Sequence, residues 1–171
     1  MKTRPAARLL WSLALAASTS CAAASARAPA PRSAYELSLV AADSGQRFDF
    51  SQLSQKVGLV YFFSTWCLPC LQELKTLATL QHKYEAQRFA VVAVGLDLEG
   101  AKVLRPFEQA SSLPFPILVA DEYLRSGRSP YGVIRSVPTS VMLDREGRIA
   151  AAYEGPADPL ELERAVGGLV R

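Results

Sequence analysis

Two adjoining stretches, Val57-Gly-Leu-Val-Tyr-Phe-Phe63 and Trp66-Cys67-Leu68-Pro69-Cys70, constrain this chain more than anything else in it. The first is a continuous apolar run rich in β-branched and aromatic residues, the composition of a strand buried on both faces of a parallel or mixed sheet. The period then changes. Leu74, Leu77, Ala78, Leu80 and Tyr84 recur at intervals of three and four, which predicts a helix of about four or five turns directly after the cysteines. Cys67 therefore stands at a helix N-terminus, where unpaired N–H groups and the positive end of the helix dipole stabilise a thiolate. With two residues between them, Cys67 and Cys70 can close a disulfide. Pro69 fits a first turn, where its missing N–H has no partner to lose.

A C-x-x-C pair is also half of a zinc site, and completing one takes two more Cys or His ligands. Only Cys21 and His82 remain. His82 lies three turns along the same helix, in surroundings rich in Gln and Lys that suit a surface residue, and Cys21 lies in a targeting segment. The redox reading of the pair is therefore the stronger one, with no metal and no cofactor beyond a Cys67–Cys70 disulfide.

The targeting segment is the amino terminus. Lys2, Arg4 and Arg8 form a basic start, and Leu9 to Ala17 form an apolar stretch too short to span a bilayer, the pattern of an export signal. Two cleavage readings stand. Cys21 after Ser18-Thr19-Ser20 resembles a bacterial lipoprotein signal, in which Cys21 carries lipid, whereas small residues between Ala22 and Ala28 suit ordinary cleavage. The expected organisation is a signal over 1–21, an Ala/Pro-rich linker over 22–34 and one domain over 35–171. With 171 residues, half of them hydrophobic, the chain has room for one full core beyond the leader. The formal charge of +3 sits in the leader: without Lys2, Arg4 and Arg8, the nineteen basic side chains match the sixteen acidic ones. A near-neutral mature protein leaves no footprint for nucleic acid.

Further elements follow from pattern. Tyr35 to Val40 and Arg47 to Phe50 flank the turn Asp43-Ser-Gly45 and predict a small hairpin, followed by a helical turn from Ser51. Phe89 to Leu96 predicts a strand parallel to the first. Gly100 to Leu113 reads as a helix with Pro106 in its first turn or at a kink, and Phe115 to Val119 as a short strand. One or two helical turns follow from Glu122 to Arg128. Ser140 to Leu143 and Arg148 to Tyr153 should pair across Asp144-Arg-Glu-Gly147, and Asp158 or Pro159 opens a final helix.

This order of parts resembles the TlpA/ResA-like thiol-disulfide oxidoreductases of the thioredoxin superfamily. The resemblance rests on Trp-Cys-x-Pro-Cys after the strand, Glu73 three residues past Cys70, Tyr131-Gly-Val, Val137-Pro138-Thr139, the Asp-x-x-Gly hairpin and the C-terminal helix. It implies an α/β thioredoxin-like fold: a central mixed sheet flanked by helices, with an N-terminal β-hairpin extension. It makes Cys67 the attacking thiol, Cys70 the resolving thiol and Pro138 a cis-proline facing the disulfide. Val137 would pair through its backbone with the substrate chain, with Trp66 and Thr139 beside it. Where ordinary thioredoxins carry a buried Asp, this chain has Tyr61, and Glu73 takes over the acid–base role or, as a first-turn carboxylate, only complements the helix dipole.

The implied activity is reduction of disulfides in exported proteins, as in cytochrome c or metal-site maturation. A membrane thiol would donate the electrons, and a lipid on Cys21 would hold the protein to a periplasmic or other extracytoplasmic membrane face. A peroxidase of the superfamily would carry a lone low-pKa cysteine in a Pro and Thr motif, which does not precede Cys67. Copper carriers need wider cysteine spacing and a distal histidine. A non-catalytic binding module would not need the intact C-x-x-C.

Overall fold

A computed structural model describes residues 33–171. The segment expected to be an export signal, Cys21 and nearly all of the expected linker lie outside the described residues.

The apolar run forms β3 (Val57–Phe63), with all seven residues buried. Its side chains alternate between two cores. Val57, Leu59, Tyr61 and Phe63 face one cluster with Leu74, Leu77, Leu104, Leu162 and Val166. Val60 and Phe62 face the other with Ala34, Leu37, Phe50 and Leu124. Each fully buried Leu or Phe contributes roughly 1.5–3 kcal/mol, so a strand buried on both faces anchors two layers at once.

The remaining elements follow the pattern in the sequence. Helix α1 (Leu68–Tyr84) leads from β3 to β4 (Phe89–Gly95), which pairs with β3 in parallel from Val57↔Phe89 to Phe63↔Gly95. Helix α2 (Ala101–Ser111) then leads to β5 (Ile117–Val119), parallel to β4, and a short α3 (Glu122–Arg125) follows. Strands β6 (Thr139–Leu143) and β7 (Ile149–Glu154) form the expected hairpin, β6 running antiparallel to β3. Helix α4 (Pro159–Leu169) closes the chain; the Asp158 carboxylate caps it by accepting from the amides of Leu160 and Glu161 at 2.8 and 3.0 Å.

The N-terminal hairpin departs from expectation in two ways. Its strands are β1 (Ser38–Ala41) and β2 (Arg47–Asp49), because Ala34–Glu36 forms a 3-10 turn rather than strand. Ser33 and Ala34, expected at the end of the linker, belong to that unit: the Ser33 hydroxyl accepts the Tyr35 amide, and Ala34 is buried. The hairpin is also no appendage. Strand β1 pairs antiparallel with β5, giving one seven-stranded mixed sheet in the order β2-β1-β5-β4-β3-β6-β7. The helical turn expected from Ser51 is a 3-10 turn over Phe50–Leu53.

Pro106 lies in the interior of α2 rather than in its first turn. Its ring removes one helical hydrogen bond. Side chains tie α2 to the sheet instead: Arg105 donates to the Ala42 carbonyl at 3.0 Å, and Glu108 accepts the Ile117 amide at 3.0 Å.

Candidate active site

From β3 the chain passes from full burial to solvent within three residues. Phe63 is buried, Ser64 is 2% exposed and Trp66 is 73% exposed. The next residue, Cys67, is the N-cap of α1, and Pro69 occupies the first turn. The Cys67 sulfur accepts the Cys70 amide at 3.2 Å, so an N–H of the first turn points at the atom that would carry thiolate charge. Cys67 and Cys70 are joined in a disulfide. Access separates the two: Cys67 is 6% exposed and Cys70 is sealed at 0%.

A polar cluster lies beneath the cysteines. The Tyr61 hydroxyl donates to the Cys70 carbonyl at 3.0 Å. Across the ladder Tyr61 pairs with Ser140, whose hydroxyl donates to a Glu73 oxygen at 3.1 Å. The other Glu73 oxygen accepts the Ala157 amide at a longer 3.4 Å. Glu73 is the sixth residue of α1, not a first-turn residue, and it is buried. The structure thus replaces the dipole-complementing reading with a shielded carboxyl. Burial raises its proton affinity above that of an ordinary carboxyl, and the bonds from Ser140 and Ala157 offset this only in part. Burial, with the Glu73 charge second, likewise pushes the Tyr61 hydroxyl far up, so it stays a donor throughout the neutral range.

Pro138 is buried, and its peptide bond with Val137 is cis. Thr139 pairs with Phe62 at the start of β6, which brings Pro138 to the end of the sheet from which the cysteine loop emerges. The Pro138 carbonyl accepts the Gly155 amide at 2.8 Å. Val137 is half-buried, and Thr139 is buried with its hydroxyl donating to the Ser136 carbonyl at 2.8 Å. His82 is exposed on α1. Sequence reasoning missed Ser140 as the partner of Glu73, and Asp97, a buried carboxylate just past β4. Only the position of Asp97 gave a signal, since functional side chains gather beyond the carboxyl ends of parallel strands.

Fold and site together define a thiol-disulfide oxidoreductase of the thioredoxin superfamily, with its disulfide at the start of a helix. The chain belongs to the AhpC/TSA family, which residues 28–152 match. It is 33% identical over 123 residues to the thioredoxin-like protein YneN of Bacillus subtilis, covering 71% of this chain and 69% of that one. It is 26% identical over 121 residues to the thiol-disulfide oxidoreductase ResA of Bacillus thuringiensis, covering 70% of this chain and 66% of that one. Among solved structures, a Chlorobium tepidum protein described as a thiol:disulfide interchange protein DsbE superposes with a TM-score of 0.71. That match is 28% identical and covers 81% of this chain and 96% of the other.

Proposed function

We propose that this protein is exported and reduces disulfides in other extracytoplasmic proteins, such as those that receive haem or metal. The Cys67 thiolate attacks one sulfur of the substrate disulfide, and the substrate's other sulfur leaves as a thiol after protonation. The Cys70 thiolate then attacks the Cys67 sulfur of the mixed disulfide, releasing the second substrate thiol and leaving the Cys67–Cys70 disulfide. Two electrons and two protons from a membrane thiol donor restore the dithiol. Glu73 takes and returns protons during the exchange, and the Val137 backbone, beside Pro138, pairs with the substrate chain next to Trp66 and Thr139.

The observation that carries the reading is the buried Glu73 on the same helix as the sealed Cys70. A strong disulfide oxidant owes its potential to a stabilised reduced form, and a shielded carboxylate disfavours thiolate charge, so the cluster favours the reducing direction. Export rests on the leader. Residues 1–20 are read as its signal, Cys21 as the lipid attachment point at the mature N-terminus, 22–32 as a tether and 33–171 as the catalytic domain, which includes Ser33 and Ala34. Among the described residues no helix is long and apolar enough to cross a membrane.

The test is substrate trapping in the secreting cell. Cys70→Ser blocks only the second step and should accumulate disulfide-linked exported partners, with Cys67→Ser as the control that traps none. Mass spectrometry of the same preparation reads the mature N-terminus and any lipid on Cys21. Recovery of no linked partner, or an intact Met1, would overturn the proposal.

A further inference from the structure

The loop that carries Cys67 is gripped from the side by a carboxylate that no step above uses. Asp97, two residues past the end of β4, is 4% exposed. Its oxygens accept the Thr65 amide at 3.2 and 3.1 Å and the Thr65 hydroxyl at 2.6 Å. Thr65 stands two residues before Cys67, and the Cys67 amide donates to the Ser64 carbonyl at 3.1 Å, so a displacement of Thr65 carries the cysteine with it. The segment bearing Asp97 is itself fixed. Arg125 of α3 donates to the carbonyls of Leu96 and Asp97 at 2.6 and 2.9 Å.

The choice of side chain is informative. Two donors of one residue converge on this carboxylate, which only accepts, and charge-assisted bonds are the strong ones. An amide of the same shape would replace one of these accepting oxygens by a donor, taking from the Thr65 N–H one of its two acceptors and from the hydroxyl the charge of its partner. Burying a charge is costly unless it is fully hydrogen-bonded, and here the bonds are spent on the loop next to the reacting sulfur.

We propose that Asp97 is the positioning residue for the attacking cysteine. By holding Thr65 it fixes where the Cys67 sulfur meets an incoming disulfide, and Arg125 holds Asp97 in place to do so. The proposal rests on disulfide exchange through Cys67. Asp97 acts through Thr65, with no contact to the substrate required.

The reduced protein is mixed with oxidised glutathione, at a pH where the thiolate is fully formed so that differences in thiol ionisation drop out. Acid quenching and mass spectrometry follow the oxidation of the dithiol. Asp97→Asn and Thr65→Val should slow attack about ten- to hundredfold, the penalty of a misplaced reacting atom, and Thr65→Ser, which keeps the hydroxyl, should stay within about threefold of the wild type. A purely structural role would lower the denaturant midpoint and leave these rates unmoved. Wild-type rates for Asp97→Asn and Thr65→Val, or a Thr65→Ser protein as slow as Thr65→Val, would overturn the proposal while leaving the exchange reading intact. A wild-type protein that reacts no faster than free glutathione would overturn both. Should Asp97→Asn fail to fold, the two Thr65 variants decide alone.

Discussion

Replacing Glu73 by Gln keeps the size of the side chain and removes its charge, and the two consequences separate by pH. The hydrogen bonds give a nearly constant offset. Ser140 can accept from an amide as readily as it donates to a carboxylate, and the Ala157 bond is long at 3.4 Å, so the loss is at most about 1 kcal/mol. The charge gives the pH-dependent part. Because burial raises the folded carboxyl above its ordinary value of 4.5, folding takes up a proton, and the stability this contributes is complete below that value. It is lost as pH rises through the folded value, each tenfold gain in proton affinity corresponding to about 1.4 kcal/mol.

The wild type should therefore be the more stable protein in acid and lose ground to Glu73→Gln as pH rises toward neutrality. Urea melts of both proteins across this range, on the disulfide form, read the difference. Thiolate absorbance on the reduced form should show at least one cysteine titrating lower in Glu73→Gln, with slower disulfide exchange near neutral pH. The cysteines and Glu73 can titrate as a coupled set, so the midpoints describe the site rather than single residues. Parallel stability curves would refute the raised proton affinity. An unmoved thiol titration with an unchanged exchange rate would remove Glu73 from the mechanism.

Tyr61→Phe deletes the hydroxyl that donates to the Cys70 carbonyl at 3.0 Å and should cost about 1 kcal/mol. Thermal melts should show this as a drop of roughly 2–4 °C, and no drop would mean that the bond contributes nothing beyond the helix's own. Asp158→Ala leaves the amides of Leu160 and Glu161 without their cap and should cost about 1 kcal/mol in denaturant melts with no change in exchange rate. A loss of exchange activity in Asp158→Ala would show that α4 bears on the site, contrary to this assignment.

What could be read from the residues was whatever periodicity and turn chemistry control. The continuous run of β3, the three-and-four spacing of α1 and the second run of β4 each carried their own signal. So did the Asp144–Gly147 turn and the Asp158 cap. The 3-10 turn over Ala34–Glu36 was missed because Tyr35 to Val40 alternates well enough to pass for strand, and the burial of Ala34 beneath the sheet overrides that pattern. The place of the hairpin at β5 depends on pairing between distant segments, to which local pattern is blind. Within the site, spacing put Glu73 on the helix face of Cys70 and left its depth open between two readings; α1 begins at Leu68 and carries Glu73 into the buried second turn. The cis bond at Pro138 was legible only through family resemblance. The grip of Asp97 on Thr65 joins residues 32 positions apart and left no local trace.

Strand β3 has neighbours on both edges and a core on both faces, so its backbone can open only when the whole domain does. Past the sheet, the loop from Ser64 to Cys67 is held instead by the Thr65 bonds to Asp97 and by the Cys67 amide on the Ser64 carbonyl. The junction at Phe63 therefore divides two regimes: a platform that opens only with the whole fold, and a loop held by a handful of side-chain and turn bonds that can open locally. Redox cycling can then proceed without disturbing the folded state that supports it.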